Sequence, residues 1–359
     1  MNKKKLNNDL NIMYQDMLVQ KKIYKPSSFW MYAINYFLKV FKKNGIKNFR
    51  REKLANNYFV PLYHYKREEN INKLIKFYKK NNFTKKLNFL LDSSINGKLE
   101  AFNDYRVFKG ADNIKKLPSL HRFSESKFGN PLEQFKFDNK LYSKSALNYL
   151  LGLTFLKLKT KNFIPKTVLE IGGGFGTLGE ILKFSDIKNF KYINVDLPPV
   201  SYIAEQYLAK CVGSSKVSGY FQTRNLERIQ ISNLKNITTL CSWQIEKLYG
   251  KIDLFVNFIS FQEMEPEIVK NYLDIVSKLN PKYIFLRNLR EGKQIKDKSK
   301  IEQHETKKRN RVGVEKQTTP EHYKKFLKKN YRLSSTNVIP FAYKTHDGFH
   351  SELYLFEKK

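Results

Sequence analysis

The sequence predicts an α/β protein: a Rossmann-like, doubly wound and mostly parallel sheet that ends in an antiparallel hairpin, behind a mainly helical amino-terminal region. Three observations predict it. From Lys166 onward, short apolar runs alternate with helical periodicity. A glycine-rich turn, Gly172 to Gly176, directly follows the first of those runs. Before Lys166, aromatic-rich clusters at 29–41, 56–65, 71–78 and 87–95 recur with mostly helical spacing.

The elements follow in order. Residues 143–158 place Leu147, Leu150, Leu151, Phe155 and Leu158 on one helical face, with Ser143 or Ser145 as cap. Residues 167–171 form a β-branched first strand, 172–176 the turn, and Leu178, Ile181 and Leu182 the start of a helix. A second strand spans 192–197, and Pro198-Pro199 opens a helix with Val200, Ile203, Ala204, Tyr207 and Leu208 at helical spacing. Strands at 237–240, 252–259 and 283–286 follow, the middle one nearly all apolar as a central parallel strand should be. Helices fit 267–279 and 320–329, and 331–339 with 352–356 make the hairpin. Residues 106–142 carry Gly110, Pro118, Gly129 and Pro131, which suit loops or short strands. The division is a basic helical cap over 1–142 and the sheet domain over 143–359, with a basic insertion at about 292–318.

Of 359 residues, 67 are Lys or Arg and 33 Asp or Glu, a formal charge of +34. Residues 1–166 hold 35 basic against 12 acidic side chains, net +23, whereas 167–290 hold 15 against 12, net +3. The excess is mostly lysine, and arginine is the better reader of base edges, so the charge argues against sequence-specific nucleic-acid recognition. A diffuse attraction to anionic membrane or phosphorylated substrates stays open beside plain solvated surface. Cys211 and Cys241 supply neither a disulfide framework nor a zinc quartet. The opening residues lack a signal-peptide run, so the expected compartment is the cytoplasm, with peripheral contact at the inner membrane left open. The lipophilic stretch 27–41 is too short to span a bilayer and reads as a buried helix or a surface-lying one.

The chemistry concentrates in VLEIGGGFGTLGEIL, residues 168–182. Glycines at the first strand-to-helix turn let backbone approach a nucleotide, and Gly174 to Gly179 also fit the dinucleotide pattern G-x-G-x-x-G with Asp196 as ribose ligand. Glu170 ahead of Gly172, Gly174 and Gly176 favours S-adenosylmethionine, because an acid there repels a pyrophosphate and suits a cationic cofactor. Asp196, ending the second strand, would accept the ribose hydroxyls, with Leu197 beside it. Ser242 and Trp243 after the third strand are expected near the adenine, and Asn257 on the fourth strand near the cofactor. Ser126, Gly129 and Asn130 are a candidate lid.

The runs LEIGGGFGTLGEIL, YINVDLPPVSYIAEQYL, FVNFISFQEMEPEIVKNYL and IFLRN together resemble the bacterial sugar O-methyltransferase family of class I S-adenosylmethionine-dependent enzymes, over roughly residues 120–290. The resemblance implies methylation of a hydroxyl on a nucleotide-linked or lipid-linked sugar in surface-polysaccharide assembly.

A sugar hydroxyl is a poor nucleophile at neutral pH, so a base or an acidifying metal is expected. His350 and His346, in the connection of the final hairpin, and Glu263, after the fourth strand, are the candidate bases. Asp347 or Glu263 would serve a divalent metal, and Gln262, Arg287 and Asn288 the sugar. An RNA methyltransferase, a nicotinamide-dependent oxidoreductase and a non-catalytic partner in glycan assembly are the competing readings.

Overall fold

The computed structural model describes residues 3–63, 77, 80, 96–296, 313–345 and 348–359. The runs at 71–78 and 87–95, most of the basic insertion, His346 and Asp347 lie wholly or largely outside the described residues.

Helix α1 (Lys3–Leu18) buries Leu6, Leu10, Met13 and Met17, one side chain per turn. Helix α2 (Ser28–Asn44) is capped by Ser27, whose hydroxyl accepts the Trp30 N–H, and it ends at Gly45 in a positive-φ conformation. Its face of Phe29, Ala33, Ile34, Phe37 and Phe41 is buried. This packing selects the buried-helix reading of the lipophilic stretch. Among the described residues no helix is long and apolar enough to cross a membrane. A one-turn helix α3 (Ala55–Tyr58), helix α4 (Lys98–Ala111) and a small hairpin of β1 (Phe135–Phe137) and β2 (Lys140–Tyr142) complete the region before the sheet.

Helix α5 (Lys144–Lys159) is capped by Ser143 and buried on almost every side, from Ser145 through Lys157. The sequence assigns it a single apolar face. It is covered all round because it lies between α4 and the sheet, with Phe155 stacked on Phe285 and Gly152 against Phe258. Beyond it run β3 (Thr167–Ile171), α6 (Thr177–Lys183), β4 (Lys191–Asp196), α7 (Val200–Val212), β5 (Val217–Ser218), α8 (Tyr220–Thr223), β6 (Ile229–Gln230) and β7 (Ile237–Cys241). Then come β8 (Leu248–Tyr249), β9 (Leu254–Phe258), α9 (Pro266–Lys278), β10 (Tyr283–Leu289), α10 (Pro320–Leu327), β11 (Tyr331–Asn337), β12 (Tyr343–Lys344) and β13 (His350–Lys358).

The large sheet has the order β11-β13-β10-β9-β3-β4-β7-β5, with β12 pairing β13. Neighbours from β10 to β5 are parallel, and β13 is antiparallel to both β10 and β11. The chain therefore leaves β3 in one direction toward β4 and β7 and returns on its other side with β9 and β10. That reversal is a topological switch point, where open α/β sheets bind ligands at the carboxyl ends of their strands. This is the doubly wound sheet with a terminal antiparallel element that the sequence predicts. One apolar core runs from α1 through the sheet to β13.

Strand β10 continues past Leu286, because Arg287, Asn288 and Leu289 pair with Leu353, Glu352 and Ser351 of β13. Arg287 and Asn288 are thus strand residues with no solvent exposure, where the sequence analysis set them on the rim beyond the strand.

Candidate active site

At the switch point lies a cavity of about 230 Å³, walled by the glycine turn, the end of β4, the segment after β9, part of α5 and two amino-terminal segments around Tyr24–Trp30 and Asn56–Pro61. Gly172 has φ +71, and a Cβ there would stand 2.1 Å from Ser260 Oγ, so the turn and the segment after β9 touch where a side chain has no room. Gly174 has φ +56, and its backbone N–H donates to Asp196 Oδ2 at 2.9 Å. The other Asp196 oxygen accepts from the Leu197 N–H at 2.7 Å.

Glu170 is fully buried beneath the turn, where Tyr149 donates to Oε1 at 2.6 Å and Tyr192 donates to Oε2. Burial pushes its carboxyl up to about 7, against the pull of the two hydroxyls, and nearby Asp196 adds to the rise. Burial likewise pushes Asp196 up to about 7; its two backbone hydrogen bonds oppose this and the charge of Glu263 adds to it. Among the described residues no Lys, Arg or His is paired with either acid. The charged residues of the cavity lining are Lys25, Asp196, Glu263 and Glu265.

Glu263 lines the cavity, accepts from Trp30 Nε1 at 3.1 Å and is ion-paired with Lys293. Gly172, Gly174, Asp196, Leu197, Ser242 and Glu263, all singled out in the sequence, meet on one wall, and Ser242 also donates to the Tyr24 carbonyl at 2.9 Å. Gly176 lies one layer back, its α-carbon packed on Leu208.

Other candidates stand apart from the cavity wall. Trp243 packs edge-on against Tyr220, with ring centroids 5.8 Å apart. Asn257 spends its amide on the Ile171 carbonyl and the Phe261 N–H. Gln262 and Asn288 join the end of β10 to the turn after β9, through Gln262 N–H to Asn288 Oδ1 and Leu289 N–H to Gln262 Oε1. Asn257, Gln262 and Asn288 thus tie the ends of the strands together. His350 sits at the start of β13 with its Nδ1 2.5 Å from Glu291 Oε1 and does not line the cavity. The candidate lid also faces elsewhere: Ser126 N–H donates to Glu180 on α6, and the Gly129 carbonyl accepts from Arg50 N–H. Among the described residues no three His, Cys, Asp or Glu side chains converge in a way that would hold a metal ion, so the metal left open from Glu263 finds no ligand set there.

What the sequence reading missed is the roof. Tyr24, Trp30 and Tyr58 from the amino-terminal region, with Asn148, Tyr149, Tyr272 and Tyr343, line the cavity. The density of aromatic residues before Asn57 was the available signal, but helical spacing alone reads it as core.

No protein-family model and no curated protein matches the chain. Among solved structures, the chain is similar to magnesium protoporphyrin IX methyltransferase from Synechocystis PCC 6803 with bound SAH, at 12% identity and TM-score 0.38 over 60% of this chain and 83% of that one. It is similar to the mitomycin 7-O-methyltransferase MmcR at 9% identity and TM-score 0.37, over 94% and 74% of the two chains. Phosphoethanolamine N-methyltransferase 1 of Haemonchus contortus, in complex with phosphoethanolamine and S-adenosylhomocysteine, gives 12% and 0.37 over 58% and 42%. Likenesses at this level decide neither activity nor acceptor, and the sugar O-methyltransferase resemblance has no family match behind it.

Proposed function

We propose that the chain is an S-adenosylmethionine-dependent methyltransferase and that its acceptor is a sugar hydroxyl, on a nucleotide-linked or lipid-linked sugar of a surface polysaccharide. The observation that carries the cofactor is the junction of Gly174 and Asp196 at the switch point, where Asp196 on the cavity wall and Glu170 beneath it both lack a cationic partner among the described residues. A pyrophosphate would meet repulsion there, whereas a ligand with an ammonium and a sulfonium would supply the missing charge.

The residues present fit that cofactor. The tight turn at Gly172 and Gly174 gives backbone access, and Asp196, held by two N–H donors, keeps lone pairs for ribose hydroxyls. When bound, the cofactor supplies an already activated methyl group. Glu170 stays beneath the turn and fixes it through Tyr149 and Tyr192. Tyr24, Trp30, Tyr58 and Tyr272 keep water out and offer flat faces to a sugar ring. Glu263, oriented by Trp30 and Lys293, is the proton acceptor for the sugar hydroxyl; of the two candidate bases among the described residues, Glu263 and His350, it is the one on the cavity wall.

The test is calorimetric titration with S-adenosylhomocysteine, with NADH, and with the Asp196→Ala variant. Micromolar binding of the first ligand that the variant loses supports the reading. Binding of NADH in its place, or of neither, sinks it.

A further inference from the structure

The turn on the cavity wall reads Gly-Gly-Gly-Phe-Gly over residues 172–176, so Phe175 carries its one side chain beyond hydrogen. Gly172, Gly174 and Gly176 hold φ of +71, +56 and +95. A backbone of this kind has many conformations open to it, and a ligand that needs one of them bears the cost of selecting it. Whatever fixes Phe175 therefore fixes the turn.

The Phe175 ring is buried behind the turn. Tyr207 of α7 meets it edge-on, with centroids 5.0 Å apart. Two further contacts come from the amino-terminal region: Phe49, tilted at 5.6 Å, and Arg50, whose guanidinium carbon lies 4.9 Å from the ring centre. Arg50 has no solvent exposure and is itself held in place. Its Nη2 donates to Glu125 Oε1 at 2.8 Å, its Nη1 to the Ser126 carbonyl at 3.2 Å and its backbone N–H to the Gly129 carbonyl at 3.0 Å. Glu125 in turn accepts from Ser143 Oγ at 2.7 Å and Gln134 Nε2 at 3.0 Å. The guanidinium is thus clamped in one orientation against the ring.

A fully buried ion pair adds little net stability, because desolvation offsets the attraction, and apolar side chains would fill the same space as well. What Arg50 and Glu125 supply is direction. We propose that Arg50 is a positioning residue for the cofactor: seated on Phe175, it holds the glycine turn in its binding conformation before the ligand arrives. The amino-terminal region then does more than roof the cavity, since it sets how tightly the turn takes its ligand. This role rests on the methyltransferase reading above, and Arg50 acts through Phe175 without touching the cofactor.

The test is a double-variant cycle on the full chain, read by calorimetric titration with S-adenosylhomocysteine. Arg50→Lys keeps a cation for Glu125 but loses the flat guanidinium over the ring, and Phe175→Leu loses the ring. Each is expected to weaken binding about three- to tenfold, the size of one desolvated cation–π contact. The double variant should be no weaker than the weaker single one, because both remove the same contact. Amide hydrogen exchange of the ligand-free chain gives a readout that a purely structural role would leave alone: residues 172–176 should exchange faster in Arg50→Lys, with the strands of the sheet unchanged. Phe49→Leu takes the place of Arg50→Lys if the lysine variant does not fold. Affinity within about twofold of the unaltered chain in both single variants, losses that multiply in the double one, or faster exchange spread over the whole sheet overturns the inference. Failure of S-adenosylhomocysteine to bind the unaltered chain overturns the methyltransferase reading instead, and the exchange measurement still decides whether Arg50 holds the turn.

Discussion

The Gly174 N–H and the Asp196 carboxylate are joined at 2.9 Å, so the glycine turn and the end of the second parallel strand of the sheet form one rigid unit. Asp196 both holds the turn and lines the cavity. Asp196→Asn retains one acceptor oxygen but no charge, and Asp196→Ala retains neither. We expect S-adenosylhomocysteine affinity to fall roughly tenfold in the first and further in the second, from the worth of a hydrogen bond to a charged group. Calorimetry on both variants checks the order.

The pH dependence of cofactor binding follows from the two raised acids. Asp196 and Glu170 are both pushed up to about 7, so below that pH they are largely protonated and the cationic ligand finds less negative charge. Affinity for S-adenosylmethionine is expected to rise from pH 6 to pH 8 and level off above. Binding near pH 7 should release protons, seen as a heat that changes with the ionisation enthalpy of the buffer.

Stability of the ligand-free protein should move the opposite way. Glu170, Glu180, Asp196 and Glu205 are each raised to about 7 by burial, so the folded state holds protons that the unfolded chain gives up near pH 4 to 4.5. Stability is highest below that range as far as these groups go, and falls as pH climbs through about 7. Glu352 and Glu357, held low by Arg290 and Arg332 respectively, contribute in the other direction below pH 4.5. A melting temperature higher at pH 5.5 than at pH 8 is therefore expected without ligand, with the difference reduced in Glu170→Gln.

Gly172→Ala should destabilise the fold by about 1–3 kcal/mol, the cost of holding a side chain in a disfavoured backbone region. Its Cβ would also stand 2.1 Å from Ser260 Oγ. Ser260→Gly in the same chain removes the clash but not the backbone strain, so the double variant should recover part of the loss. Denaturant unfolding of the three variants closes this cycle.

Glu263→Gln keeps the shape of the site and removes the proposed proton acceptor. Turnover is expected to fall by about 10²-fold or more, with S-adenosylhomocysteine binding retained. His350→Gln should leave turnover within a few-fold, since His350 is bound to Glu291 off the cavity wall. Comparing single-turnover rates for a sugar acceptor in the two variants separates the candidates.

The sheet was readable from sequence because its strands are short apolar runs punctuated by Gly and Pro, and the Gly174–Asp196 pair because motif and strand end are both local signals. What escaped was non-local. Arg287 and Asn288 were misplaced because the end of β10 is set by pairing with β13, whose register is not visible from β10 itself. The roof residues Trp30 and Tyr58 belong to helices whose periodicity fits a buried face, and nothing in that periodicity shows that one edge overhangs a cavity. Trp243 follows the end of β7 and Asn257 lies near the end of β9 as expected, yet the direction a side chain takes there depends on turns that the pattern does not encode.

Strand β13 forms ladders on both its sides, with β10 and with β11. During synthesis, β10 must therefore wait with an uncovered edge while the residues between the two strands emerge. An open, apolar parallel edge is a template for association with other chains. The stretch that emerges in that interval is rich in lysine, from Lys293 through Lys329. Mutual repulsion among nascent molecules would then keep exposed edges apart until β13 arrives, giving part of the chain's positive charge a use in biogenesis, independent of any ligand.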